Sequence, residues 1–223
     1  MTTKRAAIFD VDGTLVDTNH LHVVTWWEAF RQAGHRVPMR DIHRAVGLGS
    51  DDLIEHLLGK DRDPGDDEQL VAAHHALYAT YFDRLPPLDA AGELLRTLAG
   101  RGWEIVLATS ASGAELSALR RAIDADDVIL GAASADDVAE GKPAPDPVEQ
   151  ARKLAGVPSE GAVFVGDTVW DMKAAVRDGV TPLAVLSGGI PRTDLVSAGA
   201  HAVYQDPADL LDRLDTSVFA DRE

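Results

Sequence analysis

The stretch AAIFDVDGTLVDT, Ala6 to Thr18, decides how the rest of the chain is read. Ala6 to Phe9 is a short apolar run of the kind that forms a buried strand. It stops abruptly at two aspartates one residue apart, Asp10 and Asp12, followed by Gly13. A plain turn also uses Asp and Gly, but a turn does not explain why Asp10 directly follows the apolar run. Two carboxylates held together repel unless a cation or a shared proton separates them. A hard divalent cation bound through oxygen, such as Mg2+, would do so.

Further short aliphatic runs follow at Trp103–Ala108, Ala162–Gly166 and Pro182–Leu186, with weaker ones at Asp127–Leu130 and Ala202–Tyr204. Helical patterns lie between them, at about 90–100, 113–123, 147–155 and 171–178. This alternation predicts a doubly wound parallel α/β sheet.

One segment breaks the alternation. From His20 to Arg84 there is no strand pattern; Val23, Trp26, Trp27 and Phe30 share one helical stripe, Leu53, Leu57 and Leu58 mark a second helix, and Leu70 to Phe82 a longer one. Asp61 to Asp67, DRDPGDD, is a charged turn, and Pro86 and Pro87 mark the return. The expected organisation is therefore an α/β core from residues 1–17 and 88–223 and a helical insert at 18–87, hinged near Asp10 and Asp12. Open α/β sheets bind ligands at the carboxyl ends of their strands.

At 223 residues, 45% hydrophobic and 26% charged, the composition is that of a soluble globular protein. No apolar run is long enough to span a bilayer. Two basic residues open the chain, but Asp10 and Asp12 interrupt what would be the apolar core of a secretory signal. With no cysteine there is no disulfide, thiolate metal site or cysteine nucleophile, which fits a cytoplasmic location. A formal net charge of −16 argues against a nucleic-acid or anionic-membrane partner. A small phosphorylated substrate stays compatible with it, provided its site is made locally positive by a metal, a lysine or helix N-termini.

Three more stretches place polar groups where such a site would need them. WEIVLATSAS ends its strand at Thr109 and Ser110, whose hydroxyls suit an anion or a helix N-cap. In EGKPAPDP, Lys142 sits between Gly141 and Pro143, while Asp146, Pro147 and Glu149 fit the N-cap, N1 and N3 positions of the next helix. AVFVGDTVWD ends its strand at Gly166 and gives Asp167 and Asp171, which share one side of a starting helix and could equally stabilise its N-terminus.

The order D-V-D-G-T, then T-S after a strand, then G-K-P, then G-D-x-x-x-D, resembles the haloacid dehalogenase superfamily over nearly the whole chain. The resemblance implies that Asp10 is a nucleophile forming an aspartyl-phosphate and Asp12 the general acid and base. It implies that Thr109 holds the transferring phosphoryl group and that Lys142 neutralises it and orients Asp10. Mg2+ would be bound by the Asp10 carboxylate, the Asp12 backbone carbonyl and Asp167, with Asp171 close by. The insert looks like the family's α-helical type 1 cap. Gly13, Ser110, His22, Gly49 and Ser50 are the expected substrate contacts, with His20 and Trp26 nearby.

Asp12 discriminates within the superfamily, because dehalogenases and phosphonoacetaldehyde hydrolases lack an aspartate at that position. The expected activity is hydrolysis of a small-molecule phosphate monoester. The alternative is phosphoryl transfer of the β-phosphoglucomutase kind, since His22 stands where those enzymes also have a histidine. Their cap loop carries a lysine and an arginine where Val46 and Ser50 stand here, although Arg40 and Arg44 lie close in sequence. A catalytically silent binding protein is a third reading.

Overall fold

The computed structural model describes residues 4–220, so the outermost ends of the expected core, residues 1–3 and 221–223, lie outside the described residues. Six strands form one all-parallel sheet: β1 (Arg5–Phe9), β2 (Trp103–Ala108), β3 (Ile129–Ala133), β4 (Ala162–Gly166), β5 (Thr181–Val185) and β6 (Ala202–Tyr204). Their order is β3-β2-β1-β4-β5-β6. This is the doubly wound arrangement that the alternating pattern predicts.

Successive side chains of a strand point to opposite faces, and β1 shows why its run is apolar throughout. Ala7 and Phe9 join a core on one face, with Leu94 and Leu98 of α5 (Ala91–Gly100) and Leu119 of α6 (Gly113–Ile123). Ala6 and Ile8 join a second core on the other face, with Val148 and Ala151 of α7 (Asp146–Ala155) and Ala174 of α8 (Val169–Asp178). Helices on both faces leave the central strands almost wholly apolar, with Arg5 and Glu104 confined to their first two positions.

Among the described residues the segment after β1 contains helices and no strand: α1 (Asn19–Gln32), α2 (Met39–Ala45), α3 (Ser50–Leu58) and α4 (Asp67–Tyr78). It has its own apolar cluster, in which Trp26 and Phe30 of α1 meet Ile42, Leu53 and Leu70. The outgoing and returning chains run side by side. Asp17 N–H donates to the Pro86 carbonyl and Leu88 N–H to the Leu15 carbonyl, each at 2.9 Å. Both connections thus sit within a few residues of Asp10 and Asp12.

Three differences from the sequence expectation have local causes. The third strand is Ile129–Ala133 rather than Asp127–Leu130. Its Gly131, Ala132 and Ala133 are too small to announce a strand, and Val128 N–H instead closes a turn on the Ala125 carbonyl. Helix α7 starts with Asp146 at N1 and Pro145 as N-cap, so the expected capping positions shift by one. Short helices at Met39–Ala45, α9 (Arg192–Ser197) and α10 (Pro207–Asp212) carry too few apolar residues for a stripe to show. No helix of the described residues is long and apolar enough to cross a membrane.

Candidate active site

The chain order reverses between the neighbouring strands β1 and β4, which is where a doubly wound sheet opens a crevice. Phe9 is in register with Val165, and Asp10 N–H donates to the Val165 carbonyl at 2.9 Å. Asp10 follows the end of β1 and Asp167 the end of β4, so two carboxylates leave adjacent strands at the same height. The Thr14 hydroxyl lies between them, 3.3 Å from Asp10 Oδ2 and 3.1 Å from Asp167 Oδ1. Asn19 Nδ2 donates to Asp167 Oδ2 at 2.8 Å and to the Gly188 carbonyl at 3.2 Å.

Lys142 enters from the loop between β3 and α7, where its peptide bond to Pro143 is cis. Its buried ammonium lies 2.5 Å from Asp10 Oδ1 and 2.8 Å from Asp171 Oδ1. Burial works to lower the Lys142 pKa, but Asp10 and Asp171 outweigh it and hold the lysine charged. The helix-cap alternatives are also resolved here. Thr168 caps α8 in a capping box with Asp171, whose Oδ2 accepts from the Thr168 N–H at 3.0 Å. Asp167 has no part in that cap. Ser112, not Thr109, occupies the N-cap of α6. Thr109 is buried at the end of β2, and its hydroxyl accepts from the Ala111 N–H at 3.1 Å.

Oxygen atoms of Asp10, Asp167 and Asp171 all lie within 4.8 Å of one another, and all three residues are buried. Burial first, and the neighbouring Asp171 and Asp12 next, push Asp10 up to about 7 against the pull of Lys142. Asp167 is raised well above the usual carboxylate range by burial, then by Asp10 and Asp171. Close buried carboxylates of this kind are neutralised by protons or by a cation. The donors are all hard oxygens, which suits Mg2+. Two further features fit an ion. Asn19 Oδ1 is buried without a hydrogen-bond partner, and a Cβ placed on Gly188 would fall on Asp167 Oδ2.

The Asp12 side chain turns away from this group, toward α1. Its Oδ1 accepts from the Thr18 hydroxyl at 2.5 Å and lies 3.2 Å from His22 Nε2. Burial would raise Asp12, but His22 and then Thr18 overcome it and leave its pKa lowered. Burial would likewise lower His22, but Asp12, with Glu115 behind it, raises it. The other ring nitrogen of His22 lies 3.4 Å from His74 Nε2, and His74 Nδ1 lies 3.0 Å from Thr25 Oγ1. Thr25 gives its proton to the Leu21 carbonyl at 2.8 Å, so its oxygen accepts from His74 Nδ1–H. His74 Nε2 is then an acceptor for His22 Nδ1–H, which leaves His22 Nε2 and Asp12 to share a single proton.

The remaining expected contacts separate into two groups. Ser50 and Ser110 line both a small chamber of about 50 Å³ against Asp10 and Asp12 and a wide outer groove of about 1300 Å³. Gly49 lines the outer groove only, and Trp26 the chamber only. Gly13 is buried with φ +75°, and its carbonyl accepts from the Ser187 hydroxyl at 2.7 Å. His20 is exposed, stacks on His43 at 5.5 Å between ring centroids and lines neither cavity. Sequence reasoning missed Thr14, Thr18, Asn19, His74 and Glu115. The first three follow Asp12 within seven residues, so proximity to the aspartates was the available signal. Glu115, in the first turn of α6, reads as an ordinary helix-dipole acid.

Comparison with known proteins identifies the family. The family model for haloacid dehalogenase-like hydrolases matches residues 4–179. A phosphoglycolate phosphatase of Rhodospirillum rubrum is 30% identical, over 94% of this chain and 90% of the relative. An N-acetylmuramic acid 6-phosphate phosphatase of Pseudomonas aeruginosa is 28% identical, over 96% of each chain. Among solved structures, a hydrolase from Pseudomonas syringae superposes with a TM-score of 0.91 at 34% identity, covering 96% of this chain and 99% of that one.

Proposed function

The chain belongs to the haloacid dehalogenase-like hydrolases, and from that membership we propose that it is a Mg2+-dependent phosphatase acting on a small phosphate monoester through an aspartyl-phosphate on Asp10. The observation that carries this reading is the convergence on Asp10 of a buried lysine at 2.5 Å and of two further buried carboxylates. The relatives named above are phosphatases of small phosphorylated molecules.

Asp10, Asp167 and the Asp12 backbone carbonyl would hold Mg2+, with Asp171 next to them. The ion would supply positive charge to the phosphoryl oxygens and favour the ionised form of Asp10. A phosphate monoester resists attack by a carboxylate because like charges repel; Lys142 offsets that repulsion beside the nucleophile. The Thr109 hydroxyl, at the mouth of β2, holds a phosphoryl oxygen. Asp10 attacks phosphorus as the ester bond breaks, and Asp12 gives the proton it shares with His22 to the departing alkoxide. Asp12 then takes a proton from water as the water attacks the aspartyl-phosphate. Thr18 and His22 fix the Asp12 carboxyl for both steps.

Residues 18–87 act as a cap in this reading. Gly47, Leu48 and Ser50 of their loop face the chamber, and the two adjacent connections at 15–17 and 86–88 serve as the hinge. Hydrolysis is favoured over mutase transfer by the charges available. A mutase grips a second phosphate from the cap, which needs fixed positive charge. Arg40 pairs with Asp41 and is exposed, and Arg44 pairs with Asp194, so neither faces the chamber.

The test is turnover of p-nitrophenyl phosphate with and without Mg2+, in the wild type and in Asp10→Asn. Activity that needs Mg2+ and disappears in a folded Asp10→Asn protein is expected. Near-normal turnover by Asp10→Asn would remove Asp10 as the nucleophile.

A further inference from the structure

Glu115 has no role in the chemistry above, yet it reaches into the reaction chamber. It stands in the first turn of α6, on the core side, and lines both the chamber and the outer groove. Its side chain is 16% exposed, and Oε1 lies 4.0 Å from His22 Nε2. One of its oxygens is within 4.8 Å of ligand atoms of both Asp12 and His22. The oxygen that Asp12 protonates belongs to the leaving alcohol, so the atoms of that alcohol lie next to Glu115.

The cations around it are committed elsewhere. Among the described residues lining the chamber there is no lysine or arginine, and its acidic members are Asp10, Asp12 and Glu115. His22 is engaged by Asp12, and His74 is held between His22 and Thr25. Burial, then His22, keeps the His75 pKa below the usual imidazole range. Farther out, Lys60 lies 3.4 Å from Glu55, and Arg177 donates to the Pro143 carbonyl at 2.6 Å. Asp51, Asp52 and Glu140 line the same groove.

Resting on the phosphatase reading, we propose that Glu115 is a specificity-determining residue that selects phosphate esters of uncharged, hydroxyl-bearing alcohols and rejects esters whose alcohol carries a carboxylate or a second phosphate. Burial pushes Glu115 up to about 7 against the pull of His22. In its ionised form, above that value, it accepts hydrogen bonds from hydroxyls and has no proton to donate, so it offers no favourable partner to a second anion. A buried anion left without a partner is strongly disfavoured, and like charges placed together supply discrimination. Phosphoglycolate, the substrate named for the Rhodospirillum rubrum relative, carries such a carboxylate. This chain would therefore discriminate against it.

The test pairs two esters of equal carbon number, 2-hydroxyethyl phosphate and 2-phosphoglycolate, which differ by a hydroxymethyl group in place of a carboxylate. With Mg2+ present and the pH held above about 8, where Glu115 is ionised, kcat/KM of the wild type should favour 2-hydroxyethyl phosphate by about tenfold or more. In Glu115→Gln that ratio should shrink severalfold, chiefly through a lower KM for 2-phosphoglycolate. Both esters are measured on the same variant, so any general loss of activity cancels from the ratio. A wild-type ratio near one, or one favouring 2-phosphoglycolate, overturns the proposal, as does a ratio unchanged in Glu115→Gln. If the wild type hydrolyses neither ester nor p-nitrophenyl phosphate, the phosphatase reading itself fails and this proposal falls with it. That outcome is seen as absent turnover, not as an altered ratio.

Discussion

Nζ of Lys142 lies 2.5 Å from Oδ1 of Asp10, and both side chains are shut away from water. The pair joins residues 132 positions apart in the chain, so it exists only in the folded protein. Breaking a buried pair by removing one partner leaves the other charge uncompensated, at a cost of about 3–5 kcal/mol. Lys142→Met should therefore lower stability to urea by that order and lower turnover with it. Placing Asp10→Asn on the Lys142→Met background should restore part of the stability. Losses that simply add in this double-mutant cycle would mean that the two charges do not interact.

Asp167 gives the opposite sign. It is a buried carboxylate beside two others, and Thr168 already caps α8. Asp167→Asn keeps a group able to bond Thr14 and Asn19 but removes a charge that the fold disfavours. The metal-free protein should melt no lower than the wild type, while Mg2+ affinity by calorimetry should fall at least about tenfold. Unchanged Mg2+ affinity would take Asp167 out of the metal site.

The way these two residues became legible shows where sequence reading reaches and where it stops. Asp10 and Asp167 follow strands, Lys142 sits against a proline and Asp171 follows Asp167 by four residues, and their order along the chain carried the assignment. The central strands were equally plain, because burial on both faces leaves a continuous apolar run in Ala6–Phe9 and Ala162–Gly166. His74 and Glu115 gave no such mark. One lies in a helix of the insert after β1 and the other in the first turn of a helix packed on the sheet. Only the docking of α1 between them brings both to His22, and docking geometry is written in no local pattern. Strand β3 was displaced for a related reason, since Gly131, Ala132 and Ala133 pair by backbone and place with their neighbours what their own side chains do not signal.

The histidine pair predicts a pH dependence of stability. His74 lies flat on Trp26 at 4.1 Å, and burial, then His22 and His75, hold its pKa well below 6.5. The unfolded chain takes up a proton there that the folded one refuses, so His74 costs stability as pH falls below about 6.5, by up to about 1.4 kcal/mol per pH unit. His22 is raised by Asp12 despite its burial. Its contribution is fully present below about 6.5 and is lost as pH rises through its folded value. Unfolding free energies measured from pH 5 to 8 should show His74→Gln flattening the acid side of the curve. A wild-type and variant difference that does not change between pH 5 and 7 would contradict the buried neutral state of His74.

Gly188 tests the proposed Mg2+ site without substituting any of its ligands. Its φ lies outside the left-handed region, so alanine is permitted by the backbone there, unlike at the next residue, Gly189, with φ +83°. The obstacle is spatial, because a Cβ on Gly188 would occupy the place of Asp167 Oδ2 and crowd the Asn19 amide. Gly188→Ala must therefore push the Asp167 carboxyl out of its bonds with Thr14 and Asn19. Overpacking of this kind costs about 1–3 kcal/mol, and here it should appear as a lower melting temperature together with weaker Mg2+ binding. Removing the obstructed group separates crowding from other causes. Asp167→Ala on the Gly188→Ala background should recover most of the lost stability while leaving Mg2+ affinity low. If the double variant stays as unstable as Gly188→Ala alone, the cost lies in the loop after β5 and not in the space between Gly188 and Asp167.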